Sequence, residues 1–197
     1  MLTLCKPTEA EIIEYLFTQR EMPFSYSELE MTRSIAPPQY DADRHRVYLG
    51  QGVDVYRKAK EAIKTWKMFP PTMVQLYWPD APIEKSTVVA ALFRAALLWS
   101  LNPCRILYIV DELSKTEDSP IEKFGFAYGT LKDHLERGEE RFLVEHHLED
   151  DSVWYEIYVI SQPRHWLARL AYPVVRYQQR RFRILSGQAM KNYVETE

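Results

Sequence analysis

The sequence predicts an α+β protein in which a curved antiparallel sheet wraps around one long C-terminal helix. Three observations carry this expectation. Helical patterns near the two ends of the chain flank a run of consecutive strand patterns, and strands segregated from helices favour an antiparallel sheet. Phe124, Phe126, Tyr128 and Thr130 alternate with Gly125, Ala127 and Gly129, so one face of that strand is aromatic and the other almost bare. Glycine inside a strand marks bending or the close approach of another element. Beyond Pro163, finally, a helical pattern runs on to about Tyr193 and supplies the element to be wrapped.

Thr8 can cap a first helix, TEAEIIEYLFTQR, with Glu11 completing a capping box. Residues Pro23 to Arg44 hold the Pro37-Pro38 pair and little periodicity, yet carry enough Phe, Tyr, Leu and Met to pack as an ordered loop. Residues 1–44 are therefore expected to lie on a core formed by residues 45–195, within one domain. His45 to Leu49 reads as a short strand that ends in Gly50-Gln51-Gly52. From Val53 onward, Val55, Ala59, Ala62, Ile63, Trp66 and Phe69 recur at helical spacing until Pro70-Pro71. Met73 to Trp78 is a strand between prolines.

The run Thr87 to Leu101 (TVVAALFRAALLWSL) fits an alanine-rich helix or a buried strand. Its lack of a helical stripe favours strand over Thr87–Leu98, with Asn102-Pro103 turning the chain into the strand Cys104–Glu112. After a loop from Lys132 to Gly138, ERFLVEHHL forms a strand, Asp150-Asp151 turns, and Ser152 to Ser161 returns antiparallel. The last helix is expected to carry Trp166, Leu170, Val174, Tyr177, Arg181 and Leu185 along one side and to kink at Pro173.

Composition narrows the function classes. With 46% hydrophobic residues in 197, the chain can bury a real core. A net charge of -3 gives no overall attraction to nucleic acid. The longest apolar run is shorter than a membrane span and is broken by Arg94. The N-terminus carries acids where a signal peptide carries bases, and Cys5 and Cys104 read as reduced thiols. A cytoplasmic protein without nucleic-acid or integral membrane partners is expected.

Several long stretches then identify a relative. LGQGVDVYRKAKEAIKTWKMF, LNPCRILYIVDE, FGFAYGTLKDHLERGEERFLVE and VWYEIYVISQPRHWLARLAYPVVRYQQRRF resemble the DUF1990 (UPF0548) family over roughly Val47 to Val194. The resemblance implies kinship with the Bet v 1-like or START-like (SRPBCC) helix-grip superfamily, whose sheet grips a long helix around an apolar cavity. It implies no catalytic residue. The chain departs from the family between Leu131 and Gly138, where the family tends to carry proline near the His134 equivalent and this sequence has Asp133 and Leu135.

Gly50-Gln51-Gly52 lacks the third glycine of a dinucleotide fingerprint and the Lys-Ser/Thr of a phosphate loop, and reads as a tight turn. His134 with Glu139 or Glu140 could form an acid–base pair, because imidazole titrates near neutrality and a carboxylate can orient it. Against this, charged loop residues are usually solvated. His146 and His147 alternate on a strand and cannot share a metal, so neither metal nor cofactor is expected. Cys104, Ser161 and Ser186 lack a nucleophile elbow.

Arg164, Arg169, Arg176, Arg180, Arg181 and Arg183 on the last helix could meet anionic headgroups at a membrane surface, or form a solvated face with scattered ion pairs; the scattered arrangement is favoured. Arg105, Tyr108, Phe126, Tyr128, Trp154, Glu156 and Tyr158 are expected to line a site for a small apolar ligand, lipid- or isoprenoid-like. Arg105 and Glu156 would anchor its polar end if they point inward. The alternatives are an enzyme using the same cavity and an interaction protein with a filled core.

Overall fold

A computed structural model describes residues 1–95, 97–116, 119–164, 166 and 170–196. They form one antiparallel eight-stranded sheet: β1 (Leu2–Thr3), β2 (Asp41–Gln51), β3 (Val74–Tyr77), β4 (Val88–Ala95), β5 (Leu98–Thr116), β6 (Ser119–Thr130), β7 (Glu136–His147) and β8 (Ser152–Pro163). The order across the sheet is β2-β8-β7-β6-β5-β4-β3, with β1 paired to the start of β5. Helices α1 (Glu9–Gln19), α2 (Val53–Lys64) and α3 (Tyr172–Glu195) accompany it. α2 and α3 pack on one face, here the inner face, and the N-terminal segment covers part of the outer face. This is the helix-grip arrangement.

Local chemistry accounts for most of the boundaries. Thr8 and Glu11 form the reciprocal capping box at the head of α1. β6 places Phe124, Phe126 and Tyr128 in the core beneath the helices, while Gly125 and Ala127 face outward. A Cβ on Gly125 would stand 2.1 Å from the Phe142 carbonyl oxygen, so the curl of β6 against β7 requires a residue without one. Gly138, at φ 147°, begins the same kind of close approach on β7, where a Cβ would meet the Ile160 carbonyl oxygen at 1.9 Å.

Several expected boundaries move. β2 starts at Asp41 instead of His45, and β7 starts at Glu136 inside the expected loop. α2 ends at Lys64, ahead of Pro70-Pro71, because the chain reverses at Trp66 with φ 57°. Trp66 still reaches the core and donates its indole N–H to the Ala81 carbonyl at 2.8 Å. Strand is found at Val88–Ala95 and again from Leu98, as expected in preference to helix, but the reversal lies between β4 and β5 at Leu97, not at Asn102-Pro103. Pro103 sits within β5 beside β4, just where the ladder to β6 begins at Cys104. Asn102 turns its amide to the Ser100 side chain and the Ala91 carbonyl.

The C-terminal helix differs most from expectation. Pro173 lies in the first turn of α3, where a missing N–H breaks no helical bond. The buried stripe is Phe182, Arg183, Ser186, Gly187, Met190 and Val194. Trp166, Leu170, Val174 and Tyr177 are exposed, so the gripped side is not the side the apolar spacing indicated.

Candidate functional site

The inner face builds an aromatic chamber. Phe126 from β6 and Phe142 from β7 are fully buried with ring centroids 5.3 Å apart. Phe69, on the loop after α2, meets Phe142 and Phe182 of α3 at 5.6 Å each. Trp66 stands edge-on to Phe126 at 5.0 Å. These rings occupy the space between sheet and helices.

Two polar pairs are set into this wall. The Tyr155 hydroxyl and Ser186 Oγ share a hydrogen bond of 2.7 Å. The Tyr128 hydroxyl donates to the Glu140 carboxylate. Glu140 projects from β7 on the helix side and remains half-buried rather than sealed. Burial pushes its carboxyl up to about 7, against the pull of the Tyr128 bond and the nearby Arg183 charge.

α3 is attached differently along its length. Its C-terminal part buries apolar side chains, whereas residues 172–181 bury none. That first part is tied by polar contacts: Tyr172 to Asp41 at 2.7 Å, Arg176 to Asp43 at 2.6 Å, and Gln179 Nε2 to Glu136 at 2.7 Å and Ser161 at 3.0 Å. Glu136 and Glu140 are neighbours in this region, so the loosely held part of the helix lies beside the chamber's titratable group.

A consequence is a pH dependence of stability. Because the folded carboxyl of Glu140 holds its proton more tightly than the unfolded one, its contribution is fully present below the ordinary Glu range. It is lost as pH rises from about 4.5 to about 7. The slope from one such group is at most about 1.4 kcal/mol per pH unit. Glu140→Gln should flatten denaturant-derived stability over that window relative to wild type. Parallel pH profiles for the two proteins would contradict the assignment.

The expected ligand-lining set is divided between the two faces. Phe126 and Tyr128 face the chamber. Arg105, Tyr108, Trp154, Glu156 and Tyr158 lie on the outer face, since their neighbours Ile106, Tyr155 and Ile157 are the ones in the inner core. Arg105 donates to the carbonyls of Gln19, Arg20 and Met22 and so holds the end of α1. Glu156 is buried against Arg141 at 2.7 Å. Trp154 lies under the Arg46 guanidinium and meets Tyr48 edge-on at 5.2 Å.

His134, Glu139 and Glu140 are not brought together. His134 Nδ1 accepts the Glu136 backbone N–H at 3.0 Å, and burial lowers its pKa to about 3, so it stays neutral. Glu139 faces outward, buried, and accepts from the Tyr26 hydroxyl and from both the N–H and the hydroxyl of Thr32, each at 3.0 Å. That network ties the N-terminal segment to the sheet, and neither Tyr26 nor Thr32 had a sequence signal. Cys104 is buried, which pushes its thiol up, and Ser161 and Ser186 are engaged by Gln179 and Tyr155.

On α3, Arg176 and Arg183 both pair with Asp43 of β2, at 2.6 and 3.2 Å. Arg180 and Arg181 are exposed, Arg164 donates to the Lys132 carbonyl, and Arg169 lies outside the described residues. Among the described residues no helix is long and apolar enough to cross a membrane.

Known proteins match both fold and sequence. Norcoclaurine synthase from Thalictrum flavum, solved with dopamine and hydroxybenzaldehyde, aligns over 90% of this chain and 98% of its own with a TM-score of 0.50 at 8% identity. The hypothetical protein jhp0584 from Helicobacter pylori aligns over 88% and 99% with a TM-score of 0.53 at 11% identity. At such identities the likeness is one of fold. A UPF0548 protein of Dictyostelium discoideum is 38% identical over 198 residues, covering 92% of this chain and 90% of that protein. A UPF0548 protein of Deinococcus radiodurans is 31% identical over 92% of each chain. The model of the domain of unknown function DUF1990 matches residues 25–189, and with these relatives it makes the chain a member of the DUF1990 (UPF0548) family.

Proposed function

We propose that this protein binds a small, largely apolar molecule with one polar end in the chamber between sheet and α3, where Tyr128 and Glu140 take the polar end. The observation that carries the reading is Glu140 itself. A carboxyl raised to about 7 and hydrogen-bonded by a buried tyrosine stands largely buried at the edge of an aromatic wall. Apolar pockets with a few convergent polar groups and a displaced pKa are the usual form of a small-molecule site.

The rings now fill the chamber, so entry requires opening. The first part of α3, which is tied by polar contacts and has no fully buried side chain, is the element with least to lose on lifting. A protein of like fold holds small aromatic compounds, which lends general support to a site in such an architecture.

The neutral fluorophore N-phenyl-1-naphthylamine tests this, together with native mass spectrometry of protein isolated under mild conditions. Saturable fluorophore binding, or a retained apolar mass displaced by it, is expected. Tyr128→Phe and Glu140→Gln should each weaken capture of the native ligand about tenfold, a polar partner lost in an apolar site. A protein with no retained mass that leaves the fluorophore dark would be one with a filled core, and the interaction-protein reading would take over.

A further inference from the structure

The face of the sheet turned away from α2 and α3 holds a cavity of about 590 Å³ with charged walls. Strand register explains it. One row across the outer face reads Arg44, Tyr158, Arg141, Ala127 and Tyr108; the next reads Arg46, Glu156, Leu143 and Gly125. β6 contributes only a methyl group and a hydrogen to these rows, so the longer side chains on either side stand around a gap. Arg33, on the 3-10 turn Met31–Arg33 of the N-terminal segment, closes one side.

The guanidinium groups are held in place with donors to spare. Arg44 stacks on Tyr158 at 4.5 Å, Arg46 on Trp154 at 4.6 Å and Arg33 on Tyr108 at 3.9 Å. Stacking occupies the flat face of a guanidinium and leaves its N–H edge for acceptors. One terminal nitrogen of Arg46 is spent on Glu145 and His147, each at 2.8 Å, and Arg33 Nε on Glu30 at 3.0 Å, so a ligand meets the N–H groups that remain. Arg141 is fixed by the Thr32 carbonyl at 2.8 Å and Glu156 at 2.7 Å, and its buried Nε has no partner among the described residues. Arg44 approaches Glu156 with Nε alone, at 3.5 Å. Five cationic side chains (Arg33, Arg44, Arg46, Lys123 and Arg141) line the cavity against three carboxylates (Glu112, Glu145 and Glu156), in a chain whose net charge is -3.

We propose that this cavity binds a small phosphorylated molecule, its phosphate taken by the edges of Arg44, Arg46 and Arg141. An excess of two positive charges and forks arriving from β2 and β7 suit a group with double charge and several oxygens better than a monocarboxylate. The volume leaves room for an organic body, for which Tyr108, Val110 and Leu143 supply the less polar side. This inference is independent of the chamber on the inner face, and a neutral fluorophore reports on that chamber alone.

Titration calorimetry of the full chain with inorganic pyrophosphate at low ionic strength tests it. One saturable site is expected. Arg44 and Arg46 are substantially exposed, so R44Q/R46Q should fold, and it should bind at least about tenfold more weakly, as loss of charge-assisted hydrogen bonds implies. Arg44→Lys, which keeps the charge and loses the fork, should fall between. The charge-matched control R180Q/R181Q on α3 should bind within about twofold of wild type, because screening confines such effects to nearby charges. Absence of binding at millimolar pyrophosphate, or equal loss in the control, would overturn the proposal and leave the cluster as cross-strand ion pairs.

Discussion

Phe142→Ala should cost about 3–5 kcal/mol of stability, the range for deleting a buried aromatic ring when the site cannot collapse. Phe142 has no exposed surface and sits where β7 is flanked by β6 and β8. Its ring meets Phe126 and Tyr128 of β6 and Phe69 beyond α2, at 5.3 to 5.6 Å. These neighbours come from a central strand and from a separate loop, each pinned by its own contacts, so they cannot all move inward to close the hole. The hole would open inside the chamber proposed as the binding site. Denaturant unfolding should show the midpoint falling with an unchanged slope, and benzene, which enters dry apolar cavities, should restore part of the loss. A cost below about 1.5 kcal/mol would mean that the rings repack freely.

The parts legible in sequence were those where one local rule decides the outcome. The capping box at Thr8 and Glu11 and the alternation through FGFAYGT depend on neighbouring residues only, and both appear as expected. The side of α3 that faces the sheet was not legible by the same means. Its buried stripe contains Arg183, Ser186 and Gly187, while Val174 and Tyr177 stand exposed, so hydrophobic spacing pointed away from it. Contact with β2 and β8 chooses that side: a Cβ on Gly187 would already crowd Val47, and Ser186 is needed by Tyr155. The β4–β5 turn was missed because turn chemistry at Asn102-Pro103 outweighed an uninformative Leu97.

The site was half legible for a related reason. The strict alternation of Arg44, Arg46 and Tyr48 with Val47 and Leu49 places the arginines on one face of β2 from sequence alone. That they join Arg141 depends on a register running across β8. The division of Glu139 from Glu140 also follows from alternation. Which of them would be bonded by the N-terminal segment and which by Tyr128 required the fold.

Gly125→Ala should destabilise the protein by about 3 kcal/mol or more, at the upper end for adding a single methyl group to a packed structure. The added carbon would meet the Phe142 carbonyl oxygen at 2.1 Å and Leu143 Cα at 2.9 Å, both backbone atoms of the paired strand. Neither can withdraw without opening the β6–β7 ladder in the middle of the sheet. Gly187→Ala on α3 provides the comparison. There the new carbon meets a methyl of Val47 at 2.6 Å, a side-chain atom that yields by rotation about χ1 or a small shift of α3 rather than by breaking a ladder. Alanine also gains roughly 1 kcal/mol of helix propensity over glycine. That variant should stay within about 1 kcal/mol of wild type, because the small side-chain adjustment and the propensity gain oppose each other. Chemical denaturation of both proteins under one set of conditions decides between clash with backbone and clash with side chain as the source of the cost. If Gly125→Ala lost no more stability than Gly187→Ala, the curl of β6 would tolerate a side chain, and the bare outer face above it would need another explanation.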